Sequence, residues 1–234
     1  SKILSKELMR LEQFFITVMD NVSMKTILFD LDGTLIDSTE AILESFSVAY
    51  ETFGRKMPAE KEIKKLIGYP LDTMFMMLGI HALEADDYVA AYKGHYRLVS
   101  RPKTTLLPLA KEALKQASKI ATLGVVTTKT AHYSEELLEH LGVMHHFKVL
   151  IGRESVTNPK PHPEPILKAL HHLGANPKQT WMIGDTILDL ISAKEAGVHG
   201  IGVLCGYGAK VDLQKHTACV VNDTHDAIKY IIEL

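Results

Sequence analysis

The chain predicts an α/β fold: a Rossmann-like three-layer αβα core on a parallel sheet, with an all-helical cap domain inserted into it. Three observations carry that prediction. Short apolar runs recur along the chain and end in carboxylates, hydroxyls or glycine. Helical patterns alternate with these runs, as they do where a parallel sheet is covered on both faces. About ninety residues separate the first run from the second, far more than the dozen or so that a parallel crossover needs.

Taken in order, Ser1–Ser23 places Ile3, Leu4, Leu8, Leu11, Phe15 and Val18 at roughly helical spacing. The segment carries Glu7, Arg10, Glu12 and Asp20 and no small-residue cleavage site. It therefore reads as an appended amphipathic helix that packs on the body or on a neighbouring subunit, consistent with a homodimer, and not as a secretory signal. Thr26–Asp30 is a short apolar run that ends in a carboxylate and is followed by Gly33, a buried strand feeding a loop. From Asp37 to about Leu107 no convincing strand is found. Helices are expected over Thr39–Phe53, Ala59–Leu66, Leu71–Leu78 and Ala85–Ser100, separated by Gly54, Pro58, Gly68-Tyr69-Pro70 and Gly79. Strands then follow at Ala121–Thr127, Lys148–Ile151, Thr180–Gly184 and His199–Leu204, with a weaker one at Ala218–Val221. Between them lie helices at Pro108–Ser118, Ser134–His140, Pro163–Leu173 and Asp189–Ala196, with Gly142, Gly174 and Gly197 where C-caps belong. The expected domains are an extension over 1–23, a core over 24–37 and 108–234, and a cap over 38–107.

Composition narrows the functional classes. The 234 residues are 46% hydrophobic and 23% charged, and 26 basic side chains offset 28 acidic ones for a net charge of −2. A disordered chain has neither that apolar content nor that balance. No basic run offers a footprint for nucleic acid, and no stretch approaches the roughly 18–20 apolar residues that span a bilayer. Two cysteines, Cys205 and Cys219, are too few for a disulfide scaffold, so a reducing cytoplasm is the expected setting.

Four groups of residues stand at the expected C-terminal ends of strands, the edge where open α/β sheets bind ligands. In Phe29-Asp30-Leu31-Asp32-Gly33-Thr34 two carboxylates two residues apart point to one side of an extended backbone. Such crowding of like charge is unfavourable unless a cation or proton exchange justifies it. Asp30 therefore reads as a nucleophile and Asp32 as the group that moves protons, with Gly33 and Thr34 completing a site for substrate. In Val125-Val126-Thr127-Thr128-Lys129, the Thr127 hydroxyl and the Thr128 amide could donate to phosphate oxygens. Prolines around Lys160, in Asn158-Pro159-Lys160-Pro161-His162-Pro163, stiffen a loop that presents one cation to a transferring phosphoryl group. In Gly184-Asp185-Thr186-Ile187-Leu188-Asp189 two carboxylates lie one helical turn apart, oxygen ligands of the kind Mg²⁺ prefers. A helix N-cap reading suits Asp185 but leaves Asp189 unexplained.

Weaker signals resolve towards structure. Adjacent histidines on a helix diverge by about 100°, so His145-His146 and His171-His172 read as surface or interface residues. Met74, Met76 and Met77 read as cap packing. Tyr69, Tyr96, Arg97 and Arg101 are cap residues within conceivable reach of an anion, though most read as solvated or structural.

From Met24 to about Val221 the order DxDGT, strand-terminal Thr, KPxPxP lysine and GDxxxD resembles the haloacid dehalogenase superfamily of phosphotransferases, in its subclass with a helical cap. The strings at Asp32–Thr39, Ile67–Leu71, Lys160–Gly174 and Gly184–Val198 look most like its phosphoglycolate phosphatase and pyrophosphatase branch. The resemblance implies that Asp30 attacks phosphorus and forms an aspartyl-phosphate. It implies that Asp32 protonates the leaving oxygen and then activates water, and that Thr127 and Lys160 hold the phosphoryl oxygens. It also implies Mg²⁺ shared by Asp30, the Asp32 carbonyl and Asp185, with Asp189 in support. Two departures stand out: Thr127-Thr128 replaces the frequent Thr-Asn, and Pro108-Leu109 replaces the usual Pro-Gly before the first core helix. The expected function is a Mg²⁺-dependent phosphatase of a small phosphorylated metabolite. Phosphoglycolate comes first and pyrophosphate second, with a sugar-phosphate mutase of the β-phosphoglucomutase type or a non-catalytic binding protein as other classes.

Overall fold

The computed structural model describes residues 24–234, so the helix expected over 1–23 lies outside the described residues. Strand β1 (Lys25–Phe29) is buried at all but its first residue and ends in Ile27-Leu28-Phe29, as suits a strand covered on both faces. It leads through β2 (Ile36–Asp37) into α1 (Thr39–Thr52), α2 (Glu60–Lys64), α3 (Leu71–Met77) and α4 (Ala82–Val99). The chain returns through β3 (Thr105–Leu106), α5 (Ala110–Ala117), β4 (Ala121–Val126), α6 (Ala131–His140) and β5 (Phe147–Ile151). It continues through α7 (Glu164–Leu173), β6 (Thr180–Gly184), α8 (Ile187–Glu195), β7 (His199–Val203), α9 (Lys210–Leu213), β8 (Val220–Val221) and α10 (Thr224–Ile232).

Six strands form one sheet in the order β5-β4-β1-β6-β7-β8, and every pairing is parallel. The chain runs outward from β1 to β4 and β5, then crosses back to β6 on the other side of β1 and continues to β7 and β8. The strand order therefore reverses beside β1, the switch point where an open α/β sheet leaves a crevice at its carboxyl edge. Alternation along the strands fills two cores. Ile27, Phe29, Leu123, Val125 and Ile183 pack against α5, α6 and α10 on one face. Leu28, Val126, Val149 and Met182 pack against α7 and α8 on the other. The result is the three-layer αβα arrangement that the alternating runs predict.

Helices α1 to α4 enclose a separate apolar cluster around Phe46, Phe75, Tyr88, Tyr92 and Tyr96. Phe46 lies 4.7 Å from Phe75 and 5.2 Å from Tyr92, ring centre to ring centre. Such aromatic pairs add stability beyond their area burial. The segment expected to be free of strands carries one at its end, because β3 pairs antiparallel with β2 and ties the two chain crossings together. Two residues are too few to show a strand period. Helix α10 was also absent from the sequence reading, although its buried Ala227, Ile228 and Ile231 keep helical spacing.

The Pro108-Leu109 departure has a structural consequence. Leu109 sits at φ +61° just before α5, in the left-handed region that glycine occupies without strain. Its side chain is half exposed and does not repay that conformation with deep burial.

Candidate active site

The carboxyl ends of β1, β4 and β6 converge at the switch point and bring Asp30, Thr127 and Asp185 together. Backbone pairing runs one residue past β1 and β4, because the Asp30 amide donates to the Ile183 carbonyl and the Thr127 amide to the Ile151 carbonyl, both at 2.9 Å. One carboxylate oxygen from each of Asp30, Asp185 and Asp189 lies within 4.8 Å of the others, and all three residues are buried. Lys160 lies among them. Its ammonium donates to Asp30 Oδ1 at 2.9 Å, to Asp189 Oδ1 at 2.5 Å and to the Val126 carbonyl at 2.8 Å, which uses all three protons.

Each residue of this group is held by a different device. A Cβ on Gly33, which has φ +82°, would lie 2.5 Å from Asp185 Oδ2, so only glycine lets the first loop close over that carboxylate. Asp185 Oδ1 accepts from the Thr34 hydroxyl at 3.0 Å, and Oδ2 accepts from the Tyr207 amide at 2.8 Å. Asp189 caps its own helix, since its Oδ2 accepts from the Thr186 amide at 3.1 Å and the Thr186 hydroxyl at 2.9 Å. The N-cap is Thr186 and not Asp185, the capping alternative that the sequence offered beside the metal reading, and Asp189 completes the capping box.

One lysine does not neutralise three buried carboxylates. Burial pushes Asp30 up to about 7; Asp189 adds to the rise, Lys160 opposes it and Asp32 adds further. Asp185 is held well above the carboxylate range by burial, then by Asp30 and Asp189. Burial alone would lower the Lys160 ammonium, but Asp189 and Asp30 override it and keep the lysine charged. A cluster of carboxylate oxygens with excess negative charge fits a hard divalent cation such as Mg²⁺. Asp30, Asp185 and Asp189 are the side chains in place to hold one.

Asp32 stands apart from that cluster. Its carboxylate accepts from the Ser38 hydroxyl and lies 3.4 Å from the Lys129 ammonium, and the side chain is 13% exposed. Thr127 is buried, and its hydroxyl oxygen accepts from the Lys129 amide at 3.1 Å. That contact leaves the hydroxyl proton available for another acceptor.

One expected substrate contact is placed elsewhere, and the Thr128 side chain has a structural partner. Thr34 is fully buried and turned towards Asp185, so its hydroxyl positions a carboxylate and does not reach a ligand. The Thr128 hydroxyl donates to the Gly68 carbonyl at 2.8 Å and ties the core to the helical unit. Of the cap residues singled out, Tyr96 is buried and accepts a hydrogen bond from Lys129 at 2.8 Å. Arg97 is exposed, and Arg101 is an exposed residue whose guanidinium lies 3.6 Å from Glu136 of the core. Of Met74, Met76 and Met77, Met74 alone is buried, and Met76 and Met77 face solvent.

Lys129 and Tyr207 were missed by sequence reasoning. Lys129 reaches Asp32, hydrogen-bonds Tyr96 and lies 4.4 Å from the centre of that ring. Burial lowers the Lys129 ammonium, but Asp32 and Tyr96 outweigh burial and the net shift is upward. The signal was its place two residues beyond Thr127 at a strand end. Tyr207 lies in Gly206-Tyr207-Gly208 just beyond β7, and its hydroxyl hydrogen-bonds Thr39 of α1 at 2.8 Å. Two glycines flanking an aromatic at a strand end mark a loop that wraps another backbone closely.

Beside Asp32 a cavity of about 320 Å³ opens between the helical unit and the core. It touches Asp32, Thr128 and Lys129 from the core and α1, α3 and α4 from the other side. None of the described helices is long and apolar enough to cross a membrane.

Comparison with known proteins agrees with this geometry. Residues 27–203 match the family model described as haloacid dehalogenase-like hydrolase. The chain is 33% identical over 209 residues to "Probable phosphatase IndB" of Dickeya dadantii, covering 86% of this chain and 90% of that protein. It is 32% identical over 212 residues to pyrophosphatase PpaX of Oceanobacillus iheyensis, covering 90% and 98% of the two chains. The solved structure of a predicted phosphoglycolate phosphatase from Haemophilus somnus superposes with a TM-score of 0.78 at 25% identity, over 89% of this chain and 98% of that one. The match spans the strands that bring Asp30, Thr127 and Asp185 together, and the chain belongs to the haloacid dehalogenase-like hydrolase family.

Proposed function

We propose that this hydrolase is a Mg²⁺-dependent phosphatase that cleaves a small phosphorylated metabolite through an aspartyl-phosphate on Asp30. The observation that carries this reading is the set of three buried carboxylates, Asp30, Asp185 and Asp189, gathered within 4.8 Å around a single buried lysine at the switch point. Mg²⁺ held by that set would offset the charge of a phosphoryl group and of the carboxylates that meet it.

The chain's own groups divide the work. An Asp30 carboxylate oxygen attacks phosphorus, the bond from phosphorus to the leaving oxygen breaks, and Asp32 gives that oxygen a proton. Water then attacks the aspartyl-phosphate, Asp32 takes its proton, and the bond between phosphorus and Asp30 breaks to release phosphate. Lys160 touches Asp30 from the start and keeps a positive charge beside the transferring group. The Thr127 hydroxyl, with its oxygen already engaged by the Lys129 amide, donates to a phosphoryl oxygen. Lys129 holds Asp32 at the mouth of the cavity, where a leaving group would sit.

Phosphoglycolate and pyrophosphate are the first compounds to assay, because similar proteins bear those names. The test is phosphate release from these and from phosphate monoesters of uncharged alcohols, with and without Mg²⁺, beside Asp30→Asn. The reading expects release that needs both Mg²⁺ and Asp30. Release that persists in Asp30→Asn would overturn the nucleophile, and release unaffected by chelation would overturn the metal.

A further inference from the structure

Of the four aspartates at the strand ends, Asp30, Asp32, Asp185 and Asp189, the cavity meets only Asp32, and neither Thr127 nor Lys160 lines it. On the proposed reading, on which this inference rests, Asp32 faces the leaving oxygen. The cavity is therefore the space for whatever that oxygen carries.

Its size is the first clue. A glycolate or the second phosphate of pyrophosphate brings about five non-hydrogen atoms, which at about 30 Å³ for each water-sized group do not fill a space of about 320 Å³. The wall is the second clue. Ile42, Ile67, Leu71, Met74, Val89 and Tyr92 line it, and Ile42, Ile67, Met74 and Tyr92 are themselves buried. A small polar leaving group would leave that apolar wall wet, whereas an apolar one would dry it, at about 25 cal/mol for each Å² removed from water.

Charge is the third clue. Lys93, Lys129 and Arg153 are the lining cations, and Asp32, Asp72, Asp86 and Glu154 are the lining carboxylates. Lys129 is committed to Asp32 and Tyr96. Arg153 donates to the Val156 carbonyl at 3.4 Å, and the neighbouring Glu154 carboxylate accepts from the Ala131 amide at 2.9 Å. Lys93 shares α4 with Asp86, two turns away on the same side. A second phosphate or a carboxylate would thus enter a space lined by four carboxylates and three cations, with Lys129 already beside Asp32. Buried anions are bound where cations pair with them.

We propose that the natural substrate is a phosphate monoester of an uncharged alcohol with a predominantly apolar aliphatic or aromatic body larger than glycolate. The cavity accepts that body while the phosphoryl group reaches Asp30 past Asp32. A substrate with a second anionic group is disfavoured.

The test compares kcat/KM for benzyl phosphate, glycerol 3-phosphate, phosphoglycolate and pyrophosphate in saturating Mg²⁺. The expected result is a value for benzyl phosphate at least about tenfold above each of the others, the discrimination available from a few buried methylene-sized groups. Val89→Trp, which fills the cavity, should cut the ratio of benzyl phosphate to phosphoglycolate by about tenfold, with circular dichroism confirming the fold. Equal or better turnover of phosphoglycolate or pyrophosphate would overturn the inference while leaving the phosphatase reading intact. Glycerol 3-phosphate matching benzyl phosphate would overturn the apolar body. Release from none of the four would overturn the phosphatase reading and the inference with it. If Val89→Trp fails to fold, the wild-type ranking still decides.

Discussion

Two regions meet at Asp32 and differ in almost every physical respect. On one side Asp30, Asp185, Asp189 and Lys160 are buried, charged and held by backbone amides, hydroxyls and strand ends. On the other an apolar cavity is bounded by helices whose residues come from distant parts of the chain. The first region is tightly tied, because Asp185 and Asp189 each have two or more hydrogen bonds and Lys160 bridges Asp30 to Asp189. The second is shaped by packing, which tolerates exchange of one apolar side chain for another. Chemistry is therefore built into the core, and choice of leaving group is left to the helical unit above it.

That contrast is open to attack at several points. The largest effect is expected from Asp30→Asn, which should lower kcat by about 10³-fold or more while KM for a cavity-filling ester changes little. Steady-state phosphate release measures both numbers, and a matching rise in KM would blur the division between the regions. Next, Mg²⁺ should raise the Tm of the protein, because it binds only the assembled carboxylates. Asp185→Asn should remove most of that rise and lower activity by roughly 10²-fold.

The metal-free protein should also respond to pH. Asp30 has its carboxyl raised from 3.8 to about 7 in the fold. Between those values the unfolded chain has released a proton that the native state still holds, so stability falls as pH rises through this window. In chelator, thermal melts should therefore show a higher Tm at pH 5 than at pH 8, with a smaller gap in Asp30→Asn.

The cavity side should answer more gently. Tyr96→Phe removes the acceptor for the Lys129 ammonium where the two regions touch, a loss of about 1 kcal/mol. It should raise KM several-fold with little change in kcat. The smallest effect lies outside both regions. Leu109→Gly relieves a left-handed backbone at the return into the core and should raise stability by about 0.5–1 kcal/mol, seen as a higher Tm.

Legibility in the sequence follows the same division. Asp30, Asp32, Lys160, Asp185 and Asp189 were readable because each lies in a short string tied to one strand end, where local spacing reports three-dimensional position. The sheet was readable for a related reason, since runs such as Thr26–Asp30 and Thr180–Gly184 are apolar on both faces. What a hydroxyl does within a string was not readable. Thr34 and Thr128 face Asp185 and Gly68, partners that lie 151 and 60 residues away along the chain. The link between Lys129 and Tyr96 and the closure of Tyr207 over Asp185 likewise depend on how the helical unit meets the core, which no local pattern encodes. The antiparallel pair β2–β3 escaped notice because two residues carry no period.

The most direct test of the central claim is covalent trapping of the intermediate. Protein mixed with a slowly hydrolysed monoester and Mg²⁺, quenched in acid and digested, should carry one phosphoryl group on the peptide that contains Asp30. That label should be released by hydroxylamine, as an acyl-phosphate is, and should be absent in Asp30→Asn. Phosphate release without any label on that peptide, or a label that survives in Asp30→Asn, would contradict the account.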